Sequence, residues 1–365
     1  MVYRAIGIMS GSSLDGLDIA FAEFHENAGK WTYELKSTAC YPYDEEWTGR
    51  LKSATKLSAM DYLLLHADYG HYTGQKVNEF IEEHQLHYQV SLIASHGHTV
   101  FHVPAKKMTS QLGDGAAIAA ETGLPVVTDL RAMDVALGGQ GAPIVPIGEK
   151  ILLKEHDYFL NLGGIANVSV KADPYIAFDI CPANRVLNML ANDAGKNYDD
   201  GGAMAASGAV NTALLEELNR LDYYKQSYPK SLANDFGTDI VYPLIKNKAI
   251  EVKDALRTYV EHIVFQIQKA IPGLENFKPQ TSNLKLLATG GGAFNTFLVE
   301  RLRENLKEHS IEVVIPEANL VSYKEALIMA FIGVLRWRQE YNVLSSVTGS
   351  SRNSIGGALW TGQEA

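Results

Sequence analysis

Runs of apolar residues, each closed by a glycine-rich or polar turn, give the first picture of this chain. Val2–Met9 reads as a buried strand that enters SGSSLDG (10–16), and Leu17–Phe24 alternates apolar and polar positions like a strand returning from a hairpin. Trp31–Cys40 reads as a third strand. Segments 44–56 and 58–84 read as helices, the second with Leu64, Ala67, Val77 and Ile81 at helical spacing. Val90–Ala94 is a short buried strand ending in SHGHTVFH (95–102). GDGAAIAAETG (113–123) is a helix with a glycine stop, followed by the strand PVVTDL (125–130).

After GGQGAPIVP (138–146) the pattern begins again. Tyr158–Leu162 is a strand, GGIAN (163–167) a turn and Val168–Val170 a returning strand. Tyr175–Ile180 then feeds a helix after Pro182. Residues 251–271 form an amphipathic helix with Leu256, Val260, Ile263, Ile267 and Ile271 on one face. Leu284–Ala288 is a buried strand ending in TGGGAFN (289–295); a helix, the strand IEVVI (311–315) and a helix over about 322–341 follow. A strand, a glycine hairpin and a strand thus recur near residues 10 and 163, which predicts two α/β domains of related design facing each other across a cleft.

Composition narrows the partners. The 365 residues are 46% hydrophobic with a net charge of −10 and no basic stripe, which argues against nucleic acid but not against a small anion held by backbone amides. Two cysteines, Cys40 and Cys181, form no CxxC and fit a reducing, cytoplasmic setting. The apolar run at the N-terminus is shorter than a signal-peptide core, and no run of about 18 uninterrupted apolar residues predicts a membrane span.

Three glycine-rich turns, SGSSLDG (10–16), LGGIAN (162–167) and TGGGAFN (289–295), each follow an apolar strand. Such turns let successive N–H groups face phosphate oxygens, or they are tight turns only. No GxxxxGK[ST] occurs, which excludes a P-loop enzyme. Asp15 and Asp18 lie on the first hairpin and Asp179 ends a strand, positions suited to a general base, a Mg²⁺ partner or a helix cap. His96, His98 and His102 are compatible with a metal site, a substrate-contact loop or structural hydrogen bonds. Arg131 after a strand can clamp a carboxylate or form an ion pair, and Glu325 at a helix start also suits the helix dipole.

Taken together, GIMSGSSLDGLD (7–18), SHGHTVFH (95–102), LGDGAAIAAETGLPVVTDLRAMDVALGGQGAPIVP (112–146), NLGGIANVSV (161–170), GKNYDDGG (195–202), TGGGAFN (289–295) and SSVTGSSRNSIGG (345–357) resemble the anhydro-N-acetylmuramic acid kinase family of the sugar kinase/Hsp70/actin superfamily. The resemblance covers nearly the whole chain and implies two RNase H-like α/β domains around a nucleotide cleft: 1–130 with 342–365, and 131–341. It implies that Gly11, Ser12, Ser13, Leu14, Asp15, Gly16, Leu17 and Asp18 form the ATP phosphate hairpin. Gly163, Gly164 and Asn167 would form the second hairpin, and Gly290, Gly291, Gly292 and Asn295 the adenosine side. Asp179 would be the base, and His96, His98, Thr99, Arg131, Asn184 and Glu325 the sugar side.

The chain departs from the family where DICPAN (179–184) replaces DTGPGN and where His98 replaces a common Gln; Cys181 and Ala183, in place of two glycines, add side-chain volume beside the implied base and so bear on which sugar is accepted. The resemblance implies ATP-dependent phosphorylation coupled to hydrolytic opening of a 1,6-anhydro sugar, with the amino sugar and ATP as partners and Mg²⁺ as cofactor; neither nucleic acid nor a membrane is expected as a partner, and a homodimer is a compatible assembly. Two other readings stand beside it: a metal-dependent hydrolase built on His96, His98 and His102, and a non-enzymatic ATP-binding switch. A kinase of a different amino sugar is compatible with the same motifs.

Overall fold

The computed structural model describes residues 1–11, 13–228, 230–233, 235–271 and 284–362. Ser12 therefore lies outside the described residues. The chain divides into two compact units, Met1–Lys154 with Tyr323–Ala365, and Glu155–Ser322.

In the first unit, β1 (Val2–Ser10), β2 (Gly16–Asn27) and β3 (Lys30–Pro42) form an antiparallel meander. Strand β4 (Leu92–Val103) runs parallel to β1, with β5 (Met108–Leu112) and β6 (Val126–Thr128) paired to it. A late strand, β12 (Ala358–Trp360), closes the edge on β6. The order is β12-β6-β4-β1-β2-β3. Ala5 to Ile8 are buried without alternation because β1 is covered on both faces. Ile6 and Ile8 join Val77, Phe80 and Ile118, from the helices Ala59–Glu83 and Gly115–Thr122, in one core. On the other face Gly7 meets the helix Ala318–Trp337 so closely that a Cβ would lie 1.9 Å from the carbonyl oxygen of Ala326.

That helix moves the boundary between units. Residues Ala326 to Ile332 are all buried, so its apolar surface is spent all round, on β1 and, through Gly333, on Ala94 of β4. By length and composition it could cross a membrane; no unbroken apolar run had marked it. Lys324 on this helix forms a buried 2.8 Å ion pair with Glu149, on the helix Pro146–Leu152. These contacts draw residues 131–154 and 323–341 into the first unit, so the divisions fall at 154/155 and 322/323 and not at 130/131 and 341/342.

In the second unit β7 (Tyr158–Leu162), β8 (Ile165–Val170) and β9 (Ile176–Pro182) form another antiparallel meander. Strands β10 (Leu284–Thr289) and β11 (Ile311–Val314) add in parallel, in the order β11-β10-β7-β8-β9. Both units thus place their first, second, third, fourth and last main strands in one RNase H-like order. The expected face of the helix Val252–Ala270 is buried, Leu256, Val260, Ile263 and Ile267 at 0% exposure.

Several local expectations change. Strand β4 does not stop at Ala94 but carries SHGHTVFH onward, because polar β5 supplies its ladder. On the helix Ala59–Glu83 it is Leu65, Tyr69, Val77 and Phe80 that face the core; Leu64 is exposed. The turn at 163–167 narrows, since Ile165 already pairs in β8.

Candidate active site

The turn between β1 and β2 is closed by Leu14 N donating to Gly11 O at 3.3 Å, with Ser13 Oγ donating to Asp15 Oδ1 at 2.7 Å. Gly11 and Gly16 differ in what they serve. A Cβ on Gly11 would meet only Ser13 near it, whereas one on Gly16 would lie 2.7 Å from Cys40 Sγ and from the Tyr41 carbonyl. Gly16 is demanded by β3, and Leu17 is core; at Gly11 only the adjacent Ser13 comes close. Asp18 faces Cys40 across β2 and β3. Burial, with the carboxylates of Asp15 and Glu325, raises its pKa to about 6 against the opposing thiol hydrogen bond.

Strand β4 lies beside this hairpin. His96 spends both ring nitrogens: Nδ1 donates to Gly97 O and Nε2 accepts from Arg131 Nε, each at 2.7 Å. The carbonyl can only accept, which fixes the Nδ1–H tautomer. Burial, reinforced by the Arg131 charge, lowers its pKa to about 3. Arg131 also donates Nη1 to Gly141 O, and Glu325 and Asp134 support its charge against burial. Asp134 in turn accepts from Gly141 N and Thr348 Oγ1, so the GGQGAP loop is tied to Arg131 from both sides.

His98 is held in the opposite way. Tyr43 donates to Ser10 Oγ, and its oxygen lies 2.5 Å from the Tyr69 hydroxyl, which must then donate to it. Ser10 is left with its own proton for His98 Nδ1 at 3.0 Å, so Nε2 carries the imidazole hydrogen. His102 bonds Thr109 instead. The three histidines therefore do not converge, and among the described residues no group of three His, Cys, Asp or Glu side chains could hold a metal ion. The hydrolase reading loses its site. Thr99 is exposed and accepts from Gln111.

The second unit carries a row of polar side chains. Thr289, Asn161, Asn167 and Asp179 are consecutive cross-strand partners on β10, β7, β8 and β9, and so share one face. The opposite face holds Leu160, Val168 and Phe178 in the core. A register shift between Ala166 and Asn167 sets Asp179, and not Ile180, opposite Asn167. The buried Thr289 hydroxyl has no partner among the described residues. Asp179 Oδ2 accepts from Leu232 N at 2.9 Å, and burial raises its pKa. Its other oxygen has no hydrogen-bond partner among the described residues.

The remaining glycine turns divide by role. A Cβ on Gly163 or Gly164 would meet nothing closer than 3.5 Å, whereas one on Gly290 would lie 2.4 Å from Asn161 Oδ1 and one on Gly292 2.7 Å from Leu162. Gly290 and Gly292 are fixed by packing on β7; Gly291 is open. Asn184 donates Nδ2 to Leu162 O at the end of β7, and Asn295 caps the helix Thr296–Lys307. Sequence reasoning missed Ser10, Tyr43, Tyr69, Asn161, Thr289 and Arg185. Of these Ser10, Asn161 and Thr289 adjoin the glycine-rich turns and so carried a local signal; Tyr43, Tyr69 and Arg185 carried none.

The family model described as anhydro-N-acetylmuramic acid kinase matches residues 3–362. An anhydro-N-acetylmuramic acid kinase of Aliivibrio fischeri is 33% identical over 98% of this chain and 99% of its own length. One of Francisella tularensis subsp. novicida is 32% identical over 97% of each. Among solved structures, the activator of 2-hydroxyisocaproyl-CoA dehydratase from Clostridium difficile with bound ADPNP aligns at TM-score 0.46 and 11% identity, over 92% of this chain and 96% of that one. With two full-length relatives at this identity and a family model that spans the motifs of both sheets, the chain belongs to the anhydro-N-acetylmuramic acid kinase family.

Proposed function

We propose that this chain is an ATP-dependent kinase that hydrolytically opens 1,6-anhydro-N-acetylmuramic acid and phosphorylates O6, giving N-acetylmuramic acid 6-phosphate and ADP in peptidoglycan recycling in the cytoplasm. Family membership supports the reaction. The observation that carries the mechanism is Asp179, anchored through one carboxylate oxygen and raised in pKa by burial, at the end of a polar row. Asp179 takes a proton from water, and the oxygen attacks the anomeric carbon. The C1–O6 bond breaks, O6 attacks the γ-phosphorus, and ADP leaves with the β–γ bridging oxygen.

Gly11, Gly163 and Gly164 fit polyphosphate by their open backbone. Arg131, oriented by His96, and His98 serve the sugar. A magnesium ion is usually held by substrate phosphates and one or two carboxylates, and Asp15 or Asp18 on the first hairpin would supply such a carboxylate. When bound it neutralises charge on the transferred phosphoryl group.

The test is incubation of the purified chain with ATP and the anhydro sugar in ¹⁸O-water, beside ordinary amino sugars. The expected product carries the label at the anomeric carbon and none in the phosphoryl group. Release of labelled inorganic phosphate alone, with no phosphosugar, would overturn the reading.

A further inference from the structure

Arg185 breaks the ordinary logic of helix charge. It lies in the first turn of the helix Asn184–Asn192, where the positive end of the backbone dipole disfavours a cation. That helix has no side-chain cap and no acidic residue in its first turn to compensate. Arg185 forms no ion pair or side-chain hydrogen bond among the described residues, and its Nε is buried without a partner. A buried guanidinium N–H left unpaired is costly, so native structures seldom keep one without a use.

Its neighbours point to the use. The Arg185 Nε and Nη2 lie 3.8 and 4.0 Å from where a Cβ on Gly164 would stand, so the guanidinium hangs over the second glycine hairpin. The carbonyls of Gly163 and Gly164 are taken by Asn184 N and Ala183 N, at 3.0 and 2.8 Å. The amides of Gly163 and Gly164 donate to no acceptor among the described residues. Unspent backbone N–H groups and an unpaired planar cation in one place are the parts of an oxyanion site.

We infer that Arg185 binds a phosphoryl oxygen of the nucleotide together with the Gly163–Gly164 amides. The inference rests on the proposed kinase reading and adds to it a residue that no hairpin motif contains. A guanidinium offers two parallel donors to a phosphate, whereas lysine offers only a point charge, so the two are not interchangeable here.

The experiment measures dissociation constants of ATP and ADP by calorimetry without sugar, for the full chain and for R185A and R185K. Loss of a charge-assisted contact predicts about ten-fold or greater weakening in R185A and partial recovery in R185K. Melting without nucleotide should stay equal or rise in R185A, because an unfavourable cation leaves the helix end. A fall in melting temperature with unchanged nucleotide affinity would make Arg185 structural and overturn the inference. So would an unchanged ATP constant with a raised sugar KM, which would assign the guanidinium to a sugar carboxylate. If the unaltered chain bound no nucleotide at all, the kinase reading itself would fall, a result distinct from either.

Discussion

Arg131 Nε donates to His96 Nε2 at 2.7 Å, and His96 can accept there only because its other nitrogen is committed to the Gly97 carbonyl. Two residues along the strand, His98 is set the other way by the Tyr69–Tyr43–Ser10 hydroxyls. Nitrogen-resolved NMR of ¹⁵N-histidine should find the proton on Nδ1 of His96 and on Nε2 of His98. In kinetics H96Q, whose amide oxygen can replace the Nε2 acceptor, should hold the sugar KM better than H96N, which cannot reach Arg131. The loss in H96N should be about three- to ten-fold, and should vanish in an R131A background. Equal tautomers at the two rings, or additive losses in the double variant, would refute this arrangement.

Asp179→Asn keeps the shape of the polar row but cannot accept a proton at neutral pH. Turnover should fall by about 10²–10⁴-fold with ATP and sugar still bound. Because burial raises the folded pKa, the unaltered enzyme should lose kcat on the acid side as the carboxylate takes up its proton. Near-normal turnover by the variant would place the base elsewhere.

Asp18 makes a stability prediction with a definite sign. Its carboxyl is raised to about 6 mainly by burial, so the folded state favours the protonated form more than the unfolded chain does. The favourable contribution is complete below the unfolded pKa near 4 and is lost as pH rises through about 6. D18N should therefore be more stable than the parent by roughly 2–3 kcal/mol at pH 8, with the difference shrinking below pH 4. Denaturant titrations at the two pH values check this. A larger gain at acid pH would reverse the sign.

The two glycines that bracket the first hairpin should separate function from folding. G11V should weaken ATP binding by about ten-fold or more while leaving the melting temperature close to the parent's, since its side chain would crowd the proposed phosphate site and meet only Ser13 of the fold. G16A should cost about 1–3 kcal/mol of stability through overpacking against Cys40 and Tyr41. If both variants changed only stability, the hairpin would not be a phosphate site.

Much of the fold was legible because strands and glycine turns are local signals. Runs such as Tyr158–Leu162 and Leu284–Ala288 have period or length enough to declare themselves, and the two hairpins already announced a repeated design. Strand β5, Met108–Leu112, was not legible: its residues pair because β4 lies beside them, and nothing in MTSQL alone demands a strand.

The sequence by itself determined the family, the glycine hairpins and the candidate base, because each depends on residue types adjacent along the chain. Tertiary structure alone decided which glycines are walled in by packing and which are not, since a Cβ on Gly16 would run into Cys40 and Tyr41 whereas one on Gly11 would meet only Ser13. It also decided the tautomers of His96 and His98, which depend on donors from residues 10, 43, 69 and 131. The boundary between units was likewise set by packing, where the backbone of Gly7 admits the helix Ala318–Trp337. A hydrogen's position and a helix's partner are properties of contacts, and contacts between residues hundreds of positions apart are written in no local pattern.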